Sequence, residues 1–210
     1  MQLLFKNTLD IAAGIVGCVI FLPLIIIVAI LVRLDSKGNP FFVQKRIGLN
    51  GKVFTIFKIR TLYVAHFGIF ADQNTPADFR ITRIGKYLRR SKLDELPQLL
   101  NIALGHMSLV GPRPIASDYL KIIDTNYDRL TVKPGLTGIT QVCGNLELTW
   151  NRRMSLDVWY VNNWSLVLDL KILFATVPTL FFGDSPDRNY FILRNKLPEE
   201  NKAIFKGEIS

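Results

Sequence analysis

The stretch IAAGIVGCVIFLPLIIIVAILV, Ile11 to Val32, carries no charged residue over 22 positions. A bilayer core is crossed by about 20 apolar residues in a helix, so length permits a span. The run is long for the apolar core of a cleaved secretory signal, and no A-x-A-like site follows it. Of the 26 lysines and arginines only Lys6 precedes it, whereas Arg33, Lys37, Lys45 and Arg46 follow closely. Positive charge concentrates on the cytoplasmic side of membrane segments, which places the C-terminal side of the run there. Pro23, near the middle, removes a helical hydrogen bond and clashes with the preceding turn. Two topologies follow: a kinked helix that crosses, or a broken one that turns and leaves by the face it entered.

Around this stretch the chain is 210 residues long, enough for one domain with a real core. Its net charge of +9 calls for an anionic partner, and 49% hydrophobic residues favour a membrane surface over nucleic acid. Two cysteines, Cys18 and Cys143, make no disulfide framework and suit a reducing compartment. Two isolated histidines, His66 and His106, exclude a histidine-based metal cage.

Behind the apolar run, Leu34 to Pro40 is a turn-rich linker, and FFVQKRIGLNGKVFTIFKIRTL predicts two short strands meeting in a tight hairpin at Asn50-Gly51. His66 to Phe79 reads as a loop. ITRIGKYLRRS has helical spacing with a cationic side, and Pro97 to Ala103 an amphipathic helix closed by Gly105. LVGPRP and VKPGLTG are rigid loops whose exposed N–H groups would suit an anion. Thr149 to Phe182 is predicted helical and rich in aromatics, which either lie at a membrane surface or fill the core. The expected fold is α+β and mainly helical. It comprises a membrane helix over 1–34, a small basic catalytic domain over 35–184 with a β-hairpin and membrane-surface amphipathic helices, and a polar tail over 185–210.

SKLDELPQLL, Ser91 to Leu100, sets Asp94 and Glu95 between the cations Arg89, Arg90 and Lys92 and the helix signal at Pro97. One reading is structural: Asp94 as an N-cap and Glu95 as a first-turn acid favoured by the helix dipole. The other is chemical. A carboxylate beside cations stays ionised and can serve as nucleophile or metal ligand, while the cations hold a phosphate. Arg113, between Pro112 and Pro114, is a pre-organised guanidinium suited to bidentate phosphate contact.

Three long segments carry a family resemblance: LDSKGNPFFVQKRIGLNGKVFTIFKIRTL, DFRITRIGKYLRRSKLDELPQLLNIALGHMSLVGPRP and VKPGLTGITQVCGN. With MSLDVWYVNNWSLVLDLKIL they resemble the bacterial sugar transferases, the monotopic phosphoglycosyl transferases, in their minimal form. The resemblance implies transfer of sugar-1-phosphate from a UDP-sugar to polyprenol phosphate, releasing UMP, as the first membrane step of glycan assembly. It implies Asp94 as nucleophile, through an aspartyl-phosphosugar intermediate, and Glu95 in Mg²⁺ or proton handling, the acid pair holding the metal. Arg89 and Arg113, flanked by Pro112 and Pro114, would contact donor phosphates, and Lys58 and Arg60 match the basic positions of the family's strand motif and would bind substrate. It further implies a helix broken at Pro23 and re-entering the cytoplasmic face of the bacterial inner membrane. Its partners would be the UDP-sugar, the lipid acceptor and membrane lipids, with no nucleic acid, and exposed apolar helices would permit a homodimer. Two departures stand out: Leu22 where some members have Ser before the proline, and His106 where an acid is common.

Two competing readings remain at this level. In one, the acid pair only holds Mg²⁺ while the lipid phosphate attacks the donor directly. In the other, the chain is a basic scaffold that binds anionic lipid and performs no chemistry.

Overall fold

The computed structural model describes residues 2–64, 80–117, 127–145 and 148–182. The loop expected over 66–79 and the tail over 185–210 lie outside them. The apolar run belongs to one long helix, α1 (Gln2–Asp35), with Pro23 inside it rather than dividing it in two. A core helix of a soluble domain would be mostly buried, but only 17% of the most apolar window of α1 is covered by protein. Val19, Ile20, Ile26, Ile27 and Ile30 are all at least half exposed. Side chains of this kind gain on the order of 1.5 kcal/mol or more each on leaving water, so a solvent other than water is implied. The helix is a candidate membrane span.

Its protein-facing side is continuous along the length. Near the start, Lys6 pairs with Asp169 at 2.6 Å, and Asp10 accepts bonds from the Ser108 hydroxyl (2.6 Å) and the Leu109 amide (3.2 Å). Gly14 then meets the backbone of Ala103 so closely that a Cβ there would lie 2.6 Å from its nitrogen. Beyond Pro23, Val28 and Val32 pack with Ile59 and Leu88, and Asp35 accepts the Ile84 amide at 3.1 Å. Both halves of α1 therefore rest on the same domain.

Strands β1 (Phe41–Ile47) and β2 (Val53–Ile59) form the expected antiparallel hairpin, with Phe41 opposite Ile59 and Ile47 opposite Val53. The turn is wider than a two-residue hairpin. Five residues separate the strands, with a 3₁₀ turn over Leu49–Gly51, because Asn50 (φ 54°) and Gly51 (φ 76°) take left-handed backbone inside a loop closed by Gly48 N–H to Lys52 O at 2.8 Å. Helix α2 (Arg83–Ser91) begins at Thr82, whose hydroxyl accepts the Gly85 amide, and ends at Lys92 in left-handed backbone (φ 56°). A single 3₁₀ turn, Leu93–Glu95, leads into α3 (Gln98–Ala103), and Gly105 accepts a positive φ just beyond it.

The two Pro/Gly loops face each other. β3 (Ser108–Val110) and β4 (Gly135–Thr137) pair in parallel, and an added Cβ on Gly135 would fall 2.1 Å from the Gly111 nitrogen. The Gly111 and Gly135 amides of these loops are not available to an anion, contrary to the sequence reading. Ser108, Gly111 and Gly135 donate instead to the carbonyls of Pro134, Thr137 and Pro112. After the short helix α4 (Ile139–Val142), helices α5 (Trp150–Asn162) and α6 (Leu166–Phe182) complete the core around Tyr160, Leu156, Leu168 and Ile172. The aromatics divide: Trp159 and Trp164 pack on this core, while Phe174 and Phe181 are each 71% exposed. With Val167, Leu170 and Val177 they make one apolar stripe at alternating three- and four-residue spacing.

Candidate active site

Asp94 and Glu95 sit in the 3₁₀ turn after α2, each 8% exposed. Neither caps α3, whose N-cap position is Pro97 with no side-chain cap bond. The N-cap reading of Asp94 is thereby set aside. The left-handed Lys92 ends α2 and redirects the chain so that both acids enter a cavity of about 1030 Å³. The walls come from β2, the end of α2, the Arg113 loop and the first turns of α5. Eight lysines and arginines line it against three carboxylates, so it is an anion-attracting space.

The two acids live in different electrostatic surroundings. Glu95 Oε1 accepts from Lys58 Nζ at 2.7 Å and from Arg113 Nη2 at 2.8 Å. Burial alone would raise its pKa, but Arg113 and Lys58 outweigh it and hold the carboxyl well below the usual range. Asp94 is shifted the other way. Burial raises its pKa and the Glu95 charge adds to the rise, with partial relief from Lys58, Arg89 and Arg113. Burial in turn lowers the pKa of Lys58, partly offset by Glu95. The surroundings thus favour the ionised form of Glu95 and work against that of Asp94.

Most residues picked from the sequence converge here. Lys58, Arg89, Asp94, Glu95, Arg113 and Pro114 line the cavity, and Arg89 is steadied by Nε–H to Thr61 Oγ1 at 2.9 Å. Arg60 also reaches the wall, but its guanidinium donates to Asn39 O, Ser36 Oγ, Ser36 O and Leu62 O. It fastens the C-terminal end of α1 to the site. Pro112 lies away from the cavity, with its carbonyl taking the Gly135 amide. Pro23 is in α1, apart from the chemistry.

Sequence reasoning missed two members of the opposite wall. Arg129 and Asp157 form a buried ion pair at 2.6 Å, and Arg129 also donates to the Arg113 carbonyl at 2.7 Å. Trp150 and Arg153 stand beside them on α5. The available signal was the helical spacing of Trp150, Arg153 and Asp157 in one stripe. Among the described residues no three His, Cys, Asp or Glu cluster to make a metal cage. Two adjacent carboxylates opening on a cationic cavity do fit Mg²⁺, which is held by one or two carboxylates together with substrate phosphates. The bonds from Lys58 and Arg113 both fall on Oε1 of Glu95.

Comparison with known proteins gives a consistent result. A family model described as "Bacterial sugar transferase" matches residues 1–183. The uncharacterized sugar transferase EpsL of Bacillus subtilis is 41% identical over 176 residues, covering 83% of this chain and 86% of the relative. The UDP-glucose:undecaprenyl-phosphate glucose-1-phosphate transferase of Caulobacter vibrioides is 41% identical over 190 residues, covering 86% and 71%. An uncharacterized sugar transferase of Haemophilus influenzae is 40% identical over 197 residues, covering 86% of this chain but 42% of the relative.

Proposed function

The chain belongs to the bacterial sugar transferase family, and on that premise we propose that it moves a sugar-1-phosphate from a UDP-sugar to polyprenol phosphate through a covalent aspartyl intermediate. The observation that carries this reading is the unequal acid pair in a cationic cavity. An oxygen of Asp94 attacks the sugar-bearing phosphorus, and the bond to the bridging oxygen breaks with its electron pair leaving on UMP. An oxygen of polyprenol phosphate then attacks the same phosphorus and releases Asp94. Charge on the transferred group is met by Arg89, Arg113 and Lys58. Asp94 and Glu95 would hold Mg²⁺ against the donor diphosphate, where it supplies further charge neutralisation. The donor sugar named in the Caulobacter relative, glucose, is the first to test.

The placement of α1 supports a re-entrant helix. A straight 34-residue helix is roughly 51 Å long, more than a bilayer's thickness. If it crossed, Lys6 and Asp35 would lie on opposite faces of the membrane, yet both bond to the one catalytic domain. A bend at Pro23 that keeps both ends on the cytoplasmic face satisfies both contacts. Single cysteines at Leu3 and Leu34, in a chain without Cys18 and Cys143, are expected to react with an impermeant reagent from the cytoplasmic side only. Labelling of Leu3→Cys from the opposite side would refute it.

The reaction is tested by UMP release from UDP-glucose and other UDP-sugars in nanodiscs. The covalent route predicts a burst of about one UMP per active site before any acceptor is added. Direct attack by the lipid predicts no release without it, and the scaffold reading none at all.

A pH dependence follows from the raised pKa of Asp94. The attacking form is the carboxylate, so kcat/KM falls as pH drops through that pKa, at higher pH than an ordinary aspartate near ~4 would give. Removing a stabilising cation with Arg89→Gln raises the pKa further. The acid limb is expected to move to higher pH, and an unmoved limb would show that it belongs to another group.

A further inference from the structure

The cavity wall opposite the acid pair has a feature that the two-step transfer leaves unused. The Arg153 guanidinium lies over the Trp150 ring, 5.5 Å from its centroid. Its Nε–H is buried and meets no hydrogen-bond acceptor among the described residues. Trp150 remains 37% exposed although it lines the cavity. A buried donor left without an acceptor is costly, and where one persists in a site a ligand commonly completes it.

We propose that Trp150 and Arg153 form the nucleobase subsite, stacking on the pyrimidine ring of the nucleotide and donating to its carbonyl oxygens. The inference rests on the transferase reading above for the identity of the nucleotide. Three observations choose the base over the other parts of the substrates. The phosphates already have Lys58, Arg89 and Arg113 beside the acid pair. A sugar ring needs acceptors for its hydroxyls, but the nearby carboxylate of Asp157 is taken by Arg129 and Thr140. The pair offers planar faces and N–H donors, which match an aromatic ring with an acceptor-rich edge.

The lipid acceptor is disfavoured by position. α1 packs on α2, α3 and β3, whereas α5 packs on α4 and the turn at 127–130. Trp150 and Arg153 thus belong to a wall that the membrane helix does not build. Asp157, one turn further along α5, is tied through Arg129 to the Arg113 backbone, so base binding and phosphate binding share one scaffold.

The test uses the full chain in nanodiscs, with UMP and ribose 5-phosphate as probes. UMP is expected to quench tryptophan fluorescence in the wild type and to lose most of that quench in Trp150→Phe. Trp150→Phe, Arg153→Gln and Arg153→Lys should each weaken UMP about tenfold, since the lysine keeps the charge but loses the planar fork. The KM for the UDP-sugar should rise by a similar factor, while ribose 5-phosphate, which lacks the base, binds as before. Arg152→Gln, on the neighbouring residue, serves as the folded control. UMP affinity within twofold of wild type in these variants would overturn the subsite. So would parallel weakening of ribose 5-phosphate, or a changed sugar preference with unchanged UMP binding. A wild type that shows this UMP pattern but transfers no sugar phosphate would overturn the reaction and leave the subsite standing.

Discussion

Asp94→Asn is expected to stop UMP release, both the burst and the turnover, by about 10⁴-fold or more, while the protein stays folded and still binds donor. The amide has the shape of the carboxylate but no anionic oxygen to attack phosphorus. Folding should not suffer, and the sign can be worked out. Asp94 has a pKa above its ordinary value, so holding it ionised in the folded state costs stability at neutral pH. That cost disappears as pH falls below the ordinary value, and the neutral amide is free of it at any pH. The variant should therefore melt no lower than wild type at pH 7 to 8. Glu95→Gln tests the other half of the pair. It leaves the attacking oxygen in place but strips Lys58 and Arg113 of their shared anion. It should slow transfer without abolishing the burst. If Asp94→Asn keeps more than a tenth of wild-type release, or if only Glu95→Gln loses the burst, the assignment of nucleophile is wrong.

The parts of this architecture that are local in sequence were legible before the fold was seen. An uncharged run long enough for a bilayer, a hairpin signal at Asn50-Gly51 and two adjacent acids each carry their meaning within a few residues. The cations Arg89 and Arg113 were marked by their neighbours, and the resemblance then supplied Lys58; all three converge on one cavity. What failed were inferences about partners. Arg60 came from the resemblance as a basic position of the strand motif; it lines the cavity, yet its donors go to Ser36, Asn39 and Leu62. The Pro/Gly loops looked like anion cradles, but the Gly111 and Gly135 amides donate to carbonyls of the facing loop. Asp10 lay just before the apolar run with nothing to mark it, and its partner Ser108 is 98 positions away. Hydrogen-bond accounting of this kind is settled by packing, which periodicity and composition do not encode. The ion pair of Arg129 and Asp157, 28 positions apart, is the clearest case.

Breaking that pair is expected to have the largest effect on stability. Arg129 and Asp157 are 2% and 1% exposed, and the guanidinium donates through Nε (3.1 Å) and Nη2 (2.6 Å) to one carboxylate oxygen. Burial raises the pKa of Asp157, with Arg129 and then Thr140 working against it. Arg129→Met fills the space with an unbranched apolar chain but leaves the buried carboxylate without its guanidinium partner, the Thr140 hydroxyl standing at 3.4 Å. Loss of one partner of such a pair costs about 3–5 kcal/mol, or roughly 6–20 °C in melting temperature for a chain of this size. The penalty has a pH signature. With the arginine gone the folded-state pKa of Asp157 rises further above its unfolded value, so the variant is most impaired at pH 8 and recovers as acid lets Asp157 take up a proton. Arg129→Met with Asp157→Leu should regain most of the stability, because no charge is then left buried. It should not regain the activity. Arg129 also holds the Arg113 carbonyl at 2.7 Å, and Arg113 reaches Glu95 from that fixed backbone. A double variant that melts near wild type yet transfers slowly would separate the two roles of Arg129. A single variant that melts within about 4 °C of wild type at pH 8 would mean that Asp157 is neutral in the native protein, and that the pair contributes much less than its geometry implies.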